Sequence, residues 1–178
     1  GAGGVGQLLI QLAKRRGARV LATVGSPEKA ELARARGADH CILYREADFR
    51  EETMRLTDGK GVNVVYDSVG RDTLPKSLRS LGRRGTCVNF GASSGQPEPV
   101  AVLDLAEAGS VYLTRPHLAD YMANAEEIRA RASDLFAAWR GGALVVTIDR
   151  ELPLSAAQEA HRILESRGTK GKLLLRAV

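Results

Sequence analysis

Aromatic side chains are scarce in this sequence, at 4%, and cysteine occurs only twice among 178 residues. With so few rings there is no base-stacking platform of the kind single-stranded nucleic acid requires. Cys41 and Cys87 both lie in apolar, strand-like runs and read as small buried hydrophobes. Neither a disulfide scaffold nor a zinc cluster is supported, and the usage suits a reducing cytoplasm. No apolar run approaches the ~18 residues of a membrane span. No signal-peptide pattern is present in a sequence that opens inside a glycine motif. There are no repeats and no low-complexity stretch.

The remaining composition is that of a globular protein, with 44% hydrophobic and 26% charged residues. The net charge is +5. Its positive residues are scattered: Lys14, Arg15 and Arg16, Arg83 and Arg84, Arg129 and Arg131 fall near helix ends or on polar helix faces. Such placement complements helix dipoles and solvates the surface, which argues against a nucleic-acid patch and leaves room for a phosphorylated cofactor.

Gly1, Gly3 and Gly6 fit the spacing G-x-G-x-x-G. In a dinucleotide fold that turn lets the backbone approach a pyrophosphate, held by the free N–H groups of the helix that follows. The context strengthens a motif that is weak alone. Val5, Leu8, Leu9, Leu12 and Ala13 fall at helical spacing up to Gly17, and a β-branched strand through Val24 comes next. The strand before the glycines, which the motif requires at the centre of the sheet, is missing from the sequence.

Strand and helix signals then alternate. Ser26 and Pro27 open a helix with Ala30, Leu32 and Ala33 that stops at Gly37. His40 to Tyr44 is a short strand. Asp48 caps a helix with Phe49 and Leu56 inward. Val62 to Tyr66 is nearly continuous apolar strand, as a buried parallel sheet requires. Leu74, Leu78 and Leu81 form one helix stripe. Strands are expected at Thr86–Phe90 and Ser110–Thr114, Val145–Ile148 reads as extended, and the sequence closes on the Lys172–Leu175 run. Helices are expected around Ile128, Ala132, Leu135 and Trp139, and from a capping box of Ser155 with Gln158. The pattern predicts an α/β, Rossmann-like doubly wound parallel sheet with its ligand at the C-terminal strand ends.

The end of the second strand, at Gly25, Ser26 and Lys29, lacks the carboxylate that an NAD site places there for the ribose 2′-OH. A small residue with a lysine beside it accommodates a 2′-phosphate. Tyr44, at the end of the next strand, could lie beside the adenine. The plainer readings are a solvated helix lysine and a half-buried strand tyrosine. No residue looks like a general acid or nucleophile: His40 and His161 read as packing residues, and His117 follows a strand end.

Four stretches stand out: Val64 through Gly70 (VVYDSVG), Phe90 through Gly95 (FGASSG), Tyr112 through Pro116 (YLTRP) and Leu164 through Arg167 (LESR). Together they resemble the bacterial NADPH:quinone oxidoreductases, zeta-crystallin-like, zinc-free members of the medium-chain dehydrogenase/reductase superfamily. The resemblance implies a two-domain enzyme of which this sequence is the cofactor-binding part. Residues 1–117 would be the truncated nucleotide-binding domain, and 118–178 would return toward an absent N-terminal catalytic domain. It implies NADPH as cofactor and a quinone, or another conjugated carbonyl, as substrate. Gly3, Gly4 and Val5 would face the pyrophosphate. Gly25, Ser26, Lys29 and Tyr44 would hold the 2′-phosphate. Ser68 and Val69 would lie beside the adenosine ribose, and Phe90, Gly91, Ala92, Ser93 and Ser94 would pass the nicotinamide. Thr114, Arg115 and Pro116 would hold the carboxamide through the backbone, and Arg167 would reach the cofactor. The resembled family pairs the Ser110–Thr114 edge in a homodimer. An enoyl or alkenal reductase of the same superfamily is the alternative, and a non-catalytic, crystallin-like NADPH- or RNA-binding protein is the alternative of another class.

Overall fold

The computed structural model describes residues 1–166 and 169–177. Seven helices and seven strands alternate along most of it, and every strand pairing is parallel. The chain forms two compact units, residues 1–46 with 130–178, and residues 47–129.

In the first unit, α1 (Gly4–Arg15) leads to β1 (Leu21–Val24), then α2 (Pro27–Ala35) and β2 (His40–Leu43). β1 and β2 pair in register from Leu21 opposite His40 to Val24 opposite Leu43. Their core is made of small residues: Ala22, Ala30, Ala33 and Ala38 are buried with Ala2, Ile10 and Val24. Alanines let a helix axis approach the sheet closely, so this core is compact rather than bulky. Later in the same unit come β6 (Ile148–Pro153), α7 (Ala157–Glu165) and β7 (Lys172–Arg176), with β6 and β7 paired in parallel.

The second unit begins with α3 (Phe49–Leu56), capped as expected by Asp48, which accepts from the N–H of Arg50 and Glu51 at 2.8 and 3.2 Å. It continues through β3 (Val62–Asp67), α4 (Leu74–Arg79), β4 (Leu81–Asn89), α5 (Val102–Glu107) and β5 (Tyr112–Thr114). The strands order β3-β4-β5. Leu74 and Leu78 of α4, Leu81 and Cys87 of β4, and Val111 are buried together. Leu105 and Ala108 pack on them from the α5 region, so one cluster holds both helices to the sheet. Helix α6 (Ala125–Arg140) follows.

Four local expectations change. Leu81 is buried, but as the first residue of β4 rather than the end of a helical stripe, because α4 stops at Arg79. The edge strand is shorter than Ser110–Thr114: Ser110 has φ +55°, left-handed and unsuited to a strand, and Val111 turns into the core. Ser155 does not cap a helix. Leu154–Ala156 is a 3₁₀ turn running directly into α7, which leaves no extended residue to cap. Val145 through Thr147 are irregular: the Val145 backbone is engaged by Gln11 of α1, and the Thr147 carbonyl accepts from the Lys172 N–H at 2.8 Å. Two apolar surfaces are also exposed: Val64 and Tyr66 of β3, and Ile128, Leu135 and Trp139 of α6.

Cys87 has no exposed surface, and burial, with the Asp67 charge second, pushes its thiol up to about 12. Burial also raises Cys41. At about pH 8, near the ordinary thiol pKa, a maleimide should leave Cys87 unmodified until denaturant unfolds the chain. Rapid modification of Cys87 in the folded protein would contradict this packing.

Candidate dinucleotide site

The glycine turn and α1 divide their work residue by residue. A Cβ on Gly6 would lie 2.6 Å from the carbonyl oxygen of Gly1, and one on Gly1 would lie 2.8 Å from Cβ of Ala22. Both positions are therefore glycine for packing. Around Gly3 nothing lies within 4 Å of an added Cβ, so this glycine leaves an open approach to the backbone. Gly3 is also the residue before α1, with no side-chain cap, and the first turn of the helix contains no acidic residue. The opening N–H groups of a helix have no intrahelical acceptor. Here the first turn carries no acidic residue of its own to neutralise them and the positive dipole end, which suits a bound phosphate. Gly4 and Val5, expected to face a pyrophosphate, are the first two residues of that turn.

What fixes this turn is the side chain of Gln7, which is 2% exposed. Its Nε2 donates to the carbonyls of Ala2 at 2.7 Å and Lys170 at 2.9 Å. Its Oε1 accepts from Thr147 Oγ1 at 2.7 Å and Arg36 Nε at 3.2 Å. One turn on, Gln11 accepts from the Val145 N–H at 2.7 Å and donates to the Val145 carbonyl at 3.0 Å. Two buried amides thus dock the C-terminal segment onto α1.

At the end of β1 the chain turns through Gly25 into α2. Ser26 is the N-cap, its hydroxyl oxygen accepting from the Lys29 N–H at 3.3 Å. A hydroxyl used as an acceptor keeps its own hydrogen for an anion. Tyr44 follows β2 and lies directly against Gly25: an added Cβ there would sit 2.6 Å from the Tyr44 hydroxyl. Gly25 thus lies against Tyr44, and Ser26 is tied to the Lys29 backbone, at one end of the β1–β2 pair. Tyr44 is half exposed, at 49%. The one carboxylate in this turn, Glu28, pairs with Lys170.

In the second unit the strand ends are held by Asp67, which is 4% exposed. It accepts from the N–H groups of Val69 and Gly70 at 2.8 and 3.0 Å, from Thr73 Oγ1 at 2.8 Å and from Ser77 Oγ at 2.7 Å. That carboxylate folds the Ser68–Val69 turn onto the start of α4. The loop after β4 is fastened to the same turn. Ser93 N–H donates to the Ser68 carbonyl at 3.2 Å, and Ser94 N–H and Oγ both donate to the Val69 carbonyl at 2.9 and 2.8 Å. A Cβ on Gly91 would meet the Ser68 carbonyl oxygen at 2.4 Å, so only glycine fits there.

The expected positions at this end accordingly have different characters. Ser68, Ala92 and Ser93 are exposed, and Val69, Phe90 and Gly91 are half-buried. Ser94 is buried and spends its hydroxyl inside the protein, also accepting from the Asp72 N–H at 3.1 Å. Thr114 and Arg115 are exposed and Pro116 half-buried just past β5. The Arg115 guanidinium donates to the Asn89 carbonyl at 2.9 Å and to its side-chain oxygen at 3.2 Å, joining the ends of β4 and β5. Arg167 lies outside the described residues. The sequence reading did not single out Gln7, Asn89 or Asp67 as builders of the site. Asp67 had a legible signal: a carboxylate closing an apolar strand, with Thr73 and Ser77 spaced one helical turn apart behind it.

The arrangement offers backbone N–H groups, hydroxyls and cations, the means to bind and orient an anionic ligand. No group of three or more His, Cys, Asp or Glu among the described residues could hold a metal ion. His40 shares a 2.9 Å contact with Arg19 at the start of β2 rather than at a strand end.

The sequence pattern of the zinc-binding dehydrogenase family matches residues 4–138. The chain belongs to that family. Quinone oxidoreductase 1 of Escherichia coli is 46% identical over 98% of this chain and 54% of its own length. The 2-haloacrylate reductase of a Burkholderia species is 43% identical over 98% of this chain and 53% of its own length. The crystal structure of E. coli quinone oxidoreductase complexed with NADPH matches with a TM-score of 0.94 and 46% identity, over 99% of this chain and 55% of that one. The chain spans about half the length of the curated relatives it matches. The family fold here is the Rossmann-like, parallel α/β arrangement.

Replacing Asp67 by Ala should cost about 3 kcal/mol or more, since it strands two buried N–H donors and two hydroxyls. Asp67→Asn keeps one acceptor oxygen and should cost less. Urea denaturation reads both, and an Asp67→Ala variant within about 0.5 kcal/mol of the parent would remove Asp67 from this role.

Proposed function

We propose that this chain is the NADPH-binding part of a zinc-independent, cytoplasmic quinone reductase. The observation that carries the reading is the α2 entry. Gly25 lies against the Tyr44 hydroxyl there, Ser26 caps the helix on which Lys29 stands, and the nearby carboxylate of Glu28 is paired. Such a turn favours a phosphate over a bare ribose hydroxyl. Likeness to an NADPH complex of a quinone oxidoreductase supports it.

Bound NADPH would supply the hydride. The chain's own residues bind and orient. The first turn of α1 receives the pyrophosphate at the open face of Gly3. Ser26 and Lys29 hold the 2′-phosphate, with Tyr44 closing that side. Asp67 fixes the Ser68–Val69 turn for the adenosine ribose and, through it, the Phe90–Ser94 loop beside the nicotinamide. Backbone groups of Thr114 through Pro116, steadied by Arg115 on Asn89, receive the carboxamide. Hydride addition would leave a hydroquinone monoanion that takes its proton from water, so no side chain here needs to move one. Residues 1–117 form the nucleotide-binding part, and 118–178 return toward a catalytic domain that would supply the facing wall of the substrate pocket.

The 2-haloacrylate reductase likeness favours a second substrate class, a conjugated C=C bond. Steady-state rates with NADPH on the intact enzyme should be higher with a quinone than with an alkenal; the reverse order would select the second class. Lys29→Ala should weaken NADPH by roughly tenfold, the loss of one charge-assisted contact, and barely change NADH. Equal losses for both would overturn the 2′-phosphate assignment.

Among the described residues β5 pairs with β4 alone, and Tyr112 on it is 61% exposed. An open, uncharged edge offers N–H and C=O groups to a second chain, and two-fold pairing lets one strand serve both subunits. We expect a homodimer through this edge. Tyr112→Pro removes one ladder donor and should yield monomers by light scattering; a folded, still dimeric variant would place the interface elsewhere.

A further inference from the structure

We infer that Lys170 is a specificity residue for the phosphorylated dinucleotide, acting through Glu28. The inference rests on the NADPH reading above. Glu28 stands in the first turn of α2, where a carboxylate suits the helix dipole. It also stands where a 2′-phosphate, carrying between one and two negative charges, would be repelled. The structure pairs it with Lys170 Nζ, from a segment more than a hundred residues away.

The pairing is built in. The Lys170 N–H donates to Asp149 Oδ1 at 3.1 Å, and its carbonyl accepts from Gln7 Nε2 at 2.9 Å. Gln7 is buried on α1, the helix that opens on the glycine turn, and the Asp149 side chain is only 11% exposed. The backbone of Lys170 is thus held to the pyrophosphate helix while its side chain reaches the 2′-phosphate turn. Lys170 adds a second cation to a turn that carries Lys29 and Glu28, one formal charge of each sign, so the three together carry a net charge of +1. Without it, the turn is neutral. The pair is partly exposed, at 45% and 68% of the two side chains, so its effect on affinity should be moderate and weakened by salt.

NADPH and NADH titrations of the intact protein at low and physiological salt test this. Lys170→Gln should raise the Kd for NADPH about threefold to fivefold, in the range of one exposed charge pair. Lys170→Glu should raise it on the order of tenfold. NADH binding should be unchanged in both. Glu28→Gln, which leaves the Lys170 backbone contacts intact, should tighten NADPH selectively, and added to Lys170→Gln it should restore parental affinity. Equal weakening of NADPH and NADH by Lys170→Gln would mean that Lys170 acts through the glycine turn, and would overturn the inference. So would an NADPH affinity unmoved by either single variant while the parent still prefers NADPH. A parent protein without that preference would sink the NADPH reading itself, and the inference with it.

Discussion

A buried amide at Gln7 determines how the nucleotide turn is held. Its four hydrogen bonds join Ala2 in the glycine turn, Arg36 after α2, and Thr147 and Lys170 in the C-terminal segment. A side chain this buried is tolerated only when its donors and acceptors are satisfied, and the segments that satisfy it are those that shape the turn. The glycines then need only supply room. Gly6 and Gly1 admit neighbouring backbone and Cβ atoms, while Gly3 stays open to a ligand. Asp67 plays the matching part in the second unit, drawing the ends of β3 and α4 together with a carboxylate rather than an amide.

Both hubs follow from one physical problem. A parallel strand ends in backbone groups that the next turn must satisfy, and ligand-binding turns cannot bury those groups against apolar side chains. Polar side chains such as Gln7, Asp67 and Ser94 do it instead, while Ser68 and Ser93 are exposed. On the proposed reading, the phosphate would meet helix ends and hydroxyls beside Lys29 and the Lys170–Glu28 pair.

Most of the element order could be read from periodicity. Leu74 and Leu78, the Asp48 cap, the Ser26-Pro27 helix start and the Val62–Tyr66 strand all carry local signals strong enough to survive folding. The failures come where local and tertiary preferences disagree. Leu81 fits the α4 stripe by spacing, but it begins β4 and reaches the same cluster from the sheet. Ser155 and Gln158 have capping-box spacing, yet the 3₁₀ turn before α7 removes the extended backbone a cap requires. The glycine turn and the Gly25-Ser26-Lys29 loop were legible because they are contiguous. Gln7, Asn89 and Lys170 were not, since their contacts reach as far as 26 residues for Asn89 and 163 for Gln7 and Lys170, and nothing in a helical glutamine or a late lysine marks those partners in advance.

The central claim is that α2 opens onto a 2′-phosphate, and phosphorus NMR of NADPH bound to the intact protein addresses that atom directly. A phosphate monoester free in water has its second pKa near about 6. Among Ser26, Lys29 and the Glu28-neutralising Lys170, the dianion should be favoured, so the bound 2′-phosphate resonance should titrate well below its free value while the pyrophosphate resonances shift without titrating. A bound 2′-phosphate that titrates as it does free in solution would mean that the phosphate lies in solvent and that this loop does not read it.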